Sequence, residues 1–559
     1  MEWINRHRSL LATLVIIGVG MVVYADLFDA SKQFTAYDDN AYVTSQPLVK
    51  SLTARSIARI FDPETAVAGN YHPLTVLSLA IDYKVFGPHA RAFGLVNLAL
   101  HLMTSLLVLV LLRRLLPDRN WMPEIGALWF AIHPLHVESV AWVSGRKDVL
   151  YGLWFVASIL LYLSSQERRS TPLLIGAFGA FVLACVSKPM AVTLPVLLVV
   201  LDVWKGRGIT RRSVFEKLPF IAVSVVIGII TLGTQSESGA IADATTFSVV
   251  ERSIIAGYGY VMYWVHLIWP RTLNAFYPYP SVNNVFTLPW YAYPMPLLTL
   301  GTIALPWLMV WRQRTNCVTT SSIPWTSIAL GTSWFSVTIV LVLQLVSVGM
   351  VIMADRYTYI PMIGMICVIL VLIDILLQRQ QLVGWGVIVS FTILQATTTF
   401  HQVGMWRNTE TIWTSILERS GNTGSQDEIV RANLSDGYIM IYVLRGIHYF
   451  EVNKPDLAYN DLRHLLTTAS PRTDAYERLG LLAGLRGKID ESIAAYSIAI
   501  RRPDATADAF LNRGIGYQRY GRDAEALQDF ELGLMRNPSS TTQQRLLRGI
   551  EICRRRLGL

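Results

Sequence analysis

Two adjacent carboxylates, Asp38 and Asp39, follow the first long apolar run of the chain, in the stretch QFTAYDDNAYV. A carboxylate at the end of a membrane-length segment can serve as a general base. Of two neighbouring acids, one can accept a proton while the other orients or binds a substrate. If the stretch is extended, the two side chains point to opposite sides, so only one can be the base. A solvated turn that caps a helix is the alternative explanation of the pair.

His72, which precedes Pro73, opens an amphipathic helix in the same predicted loop. The first turn of a helix offers free N–H groups to a phosphate, and a histidine can add positive charge. The alternative is a histidine that only makes a hydrogen bond within the loop. His72 is therefore a candidate ligand of a substrate phosphate group.

The stretch HPLHVESVAWVSGRKDVL forms a predicted hairpin that collects six ionisable residues: His133, His136, Glu138, Arg146, Lys147 and Asp148. The HxxH spacing and the following glutamate supply only three ligands, whereas a structural zinc site takes four. This spacing could bind a divalent metal, but with three ligands a metal is not indicated, and no other cofactor is predicted. The two basic residues fall on the predicted outer side of the membrane, against the usual charge trend, which indicates that they hold an anion.

The stretch VSVGMVIMADRYTYIP places Asp355, Arg356 and Tyr357 between two apolar runs. Arginine is suited to phosphate because its planar guanidinium forms paired hydrogen bonds with oxyanions. The tyrosine fits an interfacial belt as well as a binding site. Lys188, in VSKPMAV, adds a cation on the same predicted side. A carboxylate pair together with these cations predicts a transferase that uses a lipid-phosphate donor.

The overall composition is that of a polytopic membrane protein. Of 559 residues, 52% are hydrophobic and only 16% are charged, and the mean hydropathy is +0.40. The net charge of +9 does not indicate nucleic-acid binding, because the basic residues form short clusters between apolar runs. Membrane orientation accounts for such clusters. The four cysteines lie far apart and show neither metal-ligand spacing nor a disulfide framework.

Eleven apolar runs are predicted to span the membrane, since a span needs roughly 20 apolar residues, and fewer where neighbours shield its ends. They are about 9–27, 93–112, 121–137, 148–164, 171–187, 189–203, 217–234, 294–311, 324–347, 358–377 and 383–400. With the N-terminus in the cytoplasm, Arg and Lys collect in every cytoplasmic loop. A further run, 250–269, would break this alternation, and we predict an amphipathic helix there on the outer side.

After about residue 440 the charge rises and a period of 34 residues begins. Gly446, Gly480 and Gly514 follow this step, and aromatic and small residues around them do the same. This is the pattern of tetratricopeptide repeats, in which small residues lie where paired helices touch. Residues 540–557 are predicted to close the array with a helix that has a polar outer face. A scaffold without a ligand is the alternative to a binding surface.

Seven motifs in order, followed by the repeats, closely resemble the bacterial branch of the transmembrane and tetratricopeptide repeat-containing proteins. The motifs are FTAYDDNAYV, YHPLTVLSLAIDYKVFG, HPLHVESVAWVSGRKDVL, SKPMAVTLP, RTLNAFYPYP, MADRYTYIP and MWRNTETIW. That family is grouped with the GT-C glycosyltransferases, as are the protein O-mannosyltransferases. The resemblance implies an inverting transfer of a sugar from a polyprenyl phosphate to a Ser or Thr hydroxyl of an exported protein.

The resemblance also implies roles for three residues. Asp38 occupies the position of the catalytic base, and Asp39 stands where mannosyltransferases often have glutamate. His72 falls where aminoarabinose transferases have a phosphate-binding lysine, so this chain lacks a fixed charge at that point.

Together these observations predict an all-α polytopic membrane protein of about eleven transmembrane helices. Residues 1–402 are predicted to form a GT-C glycosyltransferase domain and residues 403–559 an extracytoplasmic repeat domain. The predicted partners are a polyprenyl-phosphate-linked sugar, a hexose such as mannose, an exported acceptor protein or peptide, and the lipid bilayer, with no nucleic acid. The predicted location is the cytoplasmic membrane, with the repeats in the periplasm. The alternatives are a transporter or flippase for polyprenyl-linked sugars and a non-catalytic membrane-anchored scaffold.

Overall fold

The structure is a computed structural model built almost entirely of helices. It describes residues 2–117, 119–237, 247–279, 281–282, 285–286, 288–315, 323–346, 349, 351–419, 436–466 and 472–559. Up to residue 419 its α-helices are Glu2–Val23, Pro47–Lys50, Ala54–Ile60, Pro73–Phe86, Ala90–Leu115, Met122–Ile132, Val137–Ala141, Arg146–Arg168, Thr171–Ser187, Leu194–Trp204, Arg211–Glu237, Val249–Ile268, Met295–Thr315, Trp325–Ile339, Pro361–Arg379, Gln381–Val403 and Thr409–Arg419.

The later α-helices are Asp436–Glu451, Pro455–Leu462, Thr473–Leu485, Ile489–Ala499, Ala507–Arg519, Asp523–Leu534 and Ser540–Leu557. Two short antiparallel strand pairs accompany the helices: Tyr277–Pro278 pairs with Val351–Met353, and Ser281–Val282 pairs with Val285–Phe286. The register of Tyr277 with Met353 brings the loop around residue 277 beside the segment that leads to Asp355.

Seven helices in the described ranges are long and apolar enough to cross a membrane: Ala90–Leu115, Val143–Arg168, Arg211–Glu237, Trp290–Thr315, Trp325–Val342, Pro361–Arg379 and Gln381–Trp406. Four shorter apolar helices coincide with the other predicted spans: His7–Val23, Met122–Ile132, Thr171–Ser187 and Pro189–Trp204. The chain is therefore a helical multi-pass membrane protein, as the hydropathy pattern predicts. The run 250–269 forms the helix Val249–Ile268, which is not among the helices that are long and apolar enough to cross a membrane.

The chain divides into two compact units. The first comprises Met1–Pro278 and Leu288–Ser415, and the second comprises Tyr279–Thr287 and Ile416–Leu559. The division after Ser415 lies beyond the predicted boundary at residue 402, because the segment after the last long apolar helix still contacts the loop near Asp38. The backbone N–H of Ala36 donates to Thr409 Oγ1 at 3.0 Å, and the rings of Tyr37 and Trp413 lie 5.4 Å apart.

From residue 436 onward, the described part of the second unit forms three helix pairs and a closing helix, as the 34-residue period predicts. In each pair a glycine on the first helix lies directly against a side chain of the second. A Cβ atom at Gly446, Gly480 or Gly514 would come within 2.8, 2.7 and 2.4 Å of Leu462, Tyr496 and Phe530, respectively. These separations are too short for non-bonded carbon atoms, which explains why glycine recurs at this step.

A tight turn at Gly145 determines where the ionisable residues of the first unit lie. A Cβ atom at this position would be 2.5 Å from the backbone oxygen of Ser139, so only glycine allows the two segments to approach so closely. The turn joins the short helix Val137–Ala141 to the long helix Arg146–Arg168. Residues 146–148 therefore occupy the first turn of a long apolar helix.

Candidate active site

Asp39 is completely buried, and both of its carboxylate oxygens accept hydrogen bonds. Oδ2 accepts from the backbone N–H and the hydroxyl of Thr35, at 2.8 and 3.0 Å. Oδ1 accepts from the backbone N–H and the hydroxyl of Ser144, at 3.0 and 2.6 Å. A carboxylate offers about four lone-pair sites, so these donors saturate it. Asp39 thereby ties its loop to the turn that precedes the helix Arg146–Arg168.

Asp38 is half-buried, and its carboxylate has no hydrogen-bond or ion-pair partner in the described part of the chain. Its backbone oxygen accepts from Ala41 and Tyr42, at 3.0 and 3.1 Å, which places the acid pair in a helical turn. The stretch is thus not extended. The side chains still diverge, because neighbouring residues of a helix point about 100° apart.

Lys147 lies with its ammonium over two aromatic faces, 4.6 Å from the ring centroid of Tyr42 and 4.4 Å from that of Trp142. It is buried, and among the described residues it forms no salt bridge with a carboxylate. Four charged groups act on its ammonium, in decreasing order Asp38, Asp148, Arg356 and Lys188. The structure therefore gathers most of the residues that the sequence singled out around one lysine.

Lys188 forms an ion pair with Oδ1 of Asp148. The other oxygen of Asp148 is buried and has no hydrogen-bond partner in the described residues. The Lys188 ammonium also lies 5.6 Å from the ring centroid of Tyr357. Lys188 and Tyr357, which are far apart in the sequence, thus belong to the same cluster.

Arg356 is held by Glu138, and this pairing joins two segments that the sequence treats separately. The backbone N–H of Arg356 donates to Glu138 Oε2 at 2.9 Å, and its guanidinium donates to Oε1. The guanidinium lies 4.9 Å from the ring centroid of Tyr357 and 5.6 Å from that of Trp142. Glu138 is nearly inaccessible, but 14% of the Arg356 side chain remains exposed, so the cation is fixed in place without being enclosed.

His72 is buried, and its two ring nitrogens have different surroundings. Nε2 lies 2.6 Å from the hydroxyl of Tyr42, and the two rings stack. Nδ1 is buried without a hydrogen-bond partner among the described residues. Burial lowers the pKa of His72 well below its usual range, and the charges of Lys147 and Lys188 act in the same direction. His72 is therefore neutral near pH 7 and adjoins two cations.

Arg146 has a different environment. Its guanidinium is completely buried and donates to Asn97, Ser78 and Asp82, at 2.5, 2.6 and 2.5 Å, and to the backbone oxygen of Phe93 at 3.1 Å. These acceptors belong to the helices Pro73–Phe86 and Ala90–Leu115. Arg146 thus clamps three helices together, and the anion-binding role expected for it has no supporting contact in the described residues.

His133 and His136 are packed into the protein interior. His133 Nε2 lies 3.1 Å from the backbone oxygen of Leu267, and His136 Nδ1 lies 2.8 Å from that of Phe130. The His136 ring also contacts Tyr359, with ring centroids 4.8 Å apart. In the described part of the chain, no three His, Cys, Asp or Glu side chains are grouped as metal ligands. The HxxH spacing therefore corresponds to packing contacts here.

Asp355 is buried beside the cluster, where its carboxylate accepts a hydrogen bond from the Tyr277 hydroxyl at 2.9 Å. The strand pair that aligns Tyr277 with Met353 makes this contact. Asp355 thereby anchors the segment on which Arg356 and Tyr357 follow.

Four residues of this region were not predicted from the sequence: Lys32, Tyr42, Trp142 and Ser144. Lys32 is buried and donates to the backbone oxygens of Ala141 and Trp406, at 2.9 and 2.8 Å. Burial lowers its pKa to about 8. All four residues lie in or next to the motif stretches quoted above, but no local pattern indicates which distant groups they meet.

The arrangement offers three complementary functions. Among the described residues, the Asp38 carboxylate has no partner, the Lys147 ammonium has no paired carboxylate, and one ring nitrogen of His72 has no hydrogen bond. The ion pairs Lys188–Asp148 and Arg356–Glu138 flank them. A general base can remove a proton from an acceptor group, and neighbouring cations can stabilise the negative charge that develops on a leaving phosphate. Such an arrangement is suited to group transfer from a phosphate.

The chain is similar to animal proteins named protein O-mannosyl-transferases. It is 32% identical over 145 residues to TMTC3 of Mus musculus, a match covering 25% of this chain and 15% of that protein. It is 28% identical over 210 residues to Tmtc1 of Drosophila melanogaster, covering 36% and 24%. It is 30% identical over 168 residues to TMTC2 of Homo sapiens, covering 29% and 19%. The chain thus spans less than a quarter of the length of these relatives.

No protein-family model matches the chain. Among solved structures it aligns with ArnT from Cupriavidus metallidurans bound to undecaprenyl phosphate, over 93% of this chain and 79% of that one. The sequence identity is 13% and the TM-score is 0.29. A TM-score of this size does not establish a common fold.

Proposed function

We propose that this protein is an inverting glycosyltransferase of the membrane. It transfers a sugar, a hexose such as mannose, from a polyprenyl-phosphate donor to a Ser or Thr hydroxyl of an exported protein. The observation that carries the proposal is a pair of groups without ionic partners in the described residues, the carboxylate of Asp38 and the ammonium of Lys147, in one buried cluster. The similarity to proteins named O-mannosyl-transferases supports the class of reaction.

In the proposed reaction Asp38 accepts the proton of the acceptor hydroxyl. The acceptor oxygen forms a bond to the anomeric carbon, and the bond from that carbon to the phosphate oxygen breaks on the opposite face. The electrons of the broken bond remain on the phosphate, whose negative charge increases by one. A general base in this role accelerates transfer on the order of 10²–10⁴-fold.

Stabilising the leaving phosphate is the second task. Lys147 is the first candidate, because its ammonium is not neutralised by a paired carboxylate in the described residues. Lys188 and Arg356 contribute positive charge from their ion pairs, and Tyr357 lies against both of them. In a partly buried site, a preorganised donor to such a developing charge contributes about 3–4 kcal/mol to the barrier.

Asp39, Arg146 and Asp355 act as positioning residues in this proposal. Each has its polar atoms engaged by other parts of the first unit, through Ser144, Asp82 and Tyr277, respectively. Their contacts set where Asp38, Lys147 and Arg356 lie, because each is the immediate chain neighbour of one of these three.

The chemistry is tested by mass spectrometry of exported proteins. Cells that express the intact chain, the Asp38→Asn variant at equal protein level, or no chain are compared. We expect a hexose-type mass on Ser or Thr residues only with the intact chain. Equal modification by the Asp38→Asn variant would refute the assigned base. Movement of a polyprenyl-linked sugar across vesicles without any modified protein would instead identify a transporter.

The proposed location of the protein is the cytoplasmic membrane. In the proposed orientation the N-terminus lies in the cytoplasm and the helix pairs after residue 435 lie in the periplasm. This orientation rests on the basic residues that alternate between loops. A reporter fused after Leu559 is expected to be active only when exported. Activity of a cytoplasm-specific reporter at that position would reverse the orientation and with it the access of exported acceptors to Asp38.

A further inference from the structure

His72 and Tyr42 form a hydrogen-bonded pair inside the proposed donor site. The Tyr42 hydroxyl lies 2.6 Å from His72 Nε2, and the two rings stack with centroids 5.6 Å apart. The pair is buried, and the Lys147 ammonium also lies over the Tyr42 ring, 4.6 Å from its centroid. One ring therefore contacts both the histidine and the unpaired cation.

Burial keeps His72 neutral, and the charges around it act in the same direction. Lys147 and Lys188 are the charged groups that act on the imidazole, and both are positive; Tyr42 is its hydrogen-bonded neighbour. A neutral imidazole has one N–H, so the partner at Nε2 decides whether the proton is on Nδ1.

The Tyr42 hydroxyl is arranged to donate to Nε2. A phenol O–H is a stronger hydrogen-bond donor than a neutral imidazole N–H, and an imidazole nitrogen is a stronger acceptor than a phenol oxygen. The 2.6 Å contact is therefore best made with the Tyr42 hydroxyl as the donor and His72 Nε2 as the acceptor. The imidazole proton then resides on Nδ1.

The surroundings of Nδ1 agree with this tautomer. Lys147 lies over aromatic rings and Lys188 pairs with Asp148, and neither donates to Nδ1. Nδ1 accepts no hydrogen bond from a described donor, as a nitrogen that carries the proton would not. An N–H at this position is available to an oxygen of a ligand, and the positive charges of Lys147 and Lys188 favour an oxyanion there.

We propose that Tyr42 positions His72 as a neutral donor, through Nδ1–H, to the phosphate group of a polyprenyl phosphate. The inference rests on the proposed function, since it assigns the donor phosphate to this cluster. It separates two tasks: Lys147 supplies the charge, and His72 supplies a directed hydrogen bond. Tyr42 is then a positioning residue that acts through His72.

Binding of a polyprenyl phosphate without sugar tests the inference, with the full-length protein in lipid nanodiscs. Three variants distinguish the two nitrogens. His72→Asn retains an amide donor near the position of Nδ1, His72→Gln places its amide near Nε2 instead, and Tyr42→Phe removes only the hydroxyl while preserving the aromatic face under Lys147. A polyprenol without phosphate measures the contribution of the chain, and inorganic phosphate measures that of the free anion.

We expect Tyr42→Phe and His72→Gln each to weaken binding of the polyprenyl phosphate about 2- to 10-fold, the range for one net hydrogen bond. His72→Asn should bind within about twofold of the unmodified protein. Adding Tyr42→Phe to His72→Asn should have no further effect, because an amide donor does not depend on the tyrosine. A merely structural Tyr42 would instead weaken binding equally in both backgrounds, and this outcome would overturn the inference.

The two proposals fail in distinguishable ways. If the unmodified protein binds the polyprenol as tightly as the polyprenyl phosphate, the donor site itself is wrongly assigned. If the unmodified protein prefers the polyprenyl phosphate, but the His72→Gln and Tyr42→Phe variants bind it with the same affinity as the unmodified protein, only the role of the His72–Tyr42 pair is refuted. Binding of inorganic phosphate with the same variant pattern would show that the anion alone is recognised, and would refute the lipid as the specific ligand.

Discussion

Ser144 donates both its backbone N–H and its hydroxyl to the same carboxylate oxygen of Asp39, across 105 residues of sequence. Thr35 donates in the same way to the other oxygen. Asp38, one residue earlier, has none of these partners. Two chemically identical neighbours thus have opposite environments, which is why we propose proton transfer for Asp38 and loop anchoring for Asp39.

Substitution of Asp39 by Asn should destabilise the loop. Each carboxylate oxygen accepts from a backbone N–H, so an amide NH₂ in either orientation faces a donor. We expect a loss of about 1–3 kcal/mol in the free energy of unfolding. Ser144→Ala, which removes only one hydroxyl donor, should lose less. Thermal unfolding of both variants checks this, and equal stability of Asp39→Asn and the unmodified protein would contradict the anchoring role.

Substitution of Asp38 by Asn should abolish most of the transfer without loss of stability. The amide keeps the shape of the side chain but cannot accept the acceptor proton, so the transfer rate should fall roughly 10²-fold or more. Binding of a polyprenyl phosphate should persist, because removing a negative charge does not weaken an anion site. Glu64→Gln, at an exposed acid of the same loop, is the matched control and should transfer at the unmodified rate.

Substitution of Lys147 by Met should weaken donor binding more than any single neutral contact. Met preserves much of the apolar stem over Tyr42 and Trp142 but removes the charge. A charge-assisted hydrogen bond contributes about 1.5–3 kcal/mol, so affinity for a polyprenyl phosphate should fall roughly 10- to 100-fold. Lys84→Met, at an exposed lysine of the helix Pro73–Phe86, should leave affinity unchanged. Similar losses in the two variants would indicate a non-specific charge effect.

Lys32 should make stability depend on pH above neutrality. Burial lowers its pKa to about 8 in the folded protein, against an ordinary value of 10.5. Between these values the unfolded chain retains the proton and the folded protein releases it, so stability rises with pH by up to about 1.4 kcal/mol per pH unit. Below pH 8 both states are charged and the contribution is constant.

The matched variant for this effect is Lys32→Met, because other lysines and tyrosines titrate in the same range. The melting temperatures of the two proteins are measured from about pH 7 to 10. We expect the unmodified protein to gain stability relative to Lys32→Met as the pH rises through 8. A constant difference across the range would show that Lys32 retains its ordinary pKa.

Gly480→Ala should destabilise the middle helix pair of the second unit. The added Cβ would lie 2.7 Å from the ring of Tyr496, and such overpacking costs about 1–3 kcal/mol. Gly484→Ala is the control, since its Cβ would meet only the Ser492 hydroxyl, at 3.2 Å. Limited proteolysis of the full-length protein reports on the unit. Recovery of resistance by adding Tyr496→Leu would assign the effect to this contact, and failure to recover would assign it elsewhere.

The features that depend on local pattern can be predicted from consecutive residues alone. The hydropathy runs located eleven apolar helices, and the 34-residue step located three helix pairs and the closing helix. Both signals are local, because helical periodicity and span length are properties of consecutive residues. The acid pair and the clustered cations were also visible, since unusual ionisable residues beside apolar runs stand out without any knowledge of the fold.

The contacts of each ionisable side chain, in contrast, form only in the folded protein. Arg146 and Lys147 are adjacent in sequence, yet their contacts differ. The Arg146 guanidinium donates to Asp82 and Asn97. The Lys147 ammonium lies over aromatic rings and has no paired carboxylate in the described residues. Whether a charge is free depends on partners that are 49 to 218 positions away for Arg146 and Arg356. Hydrogen-bond saturation is a property of the assembled neighbourhood, so residue type and spacing identify candidates but cannot tell an anchoring group from a reactive one.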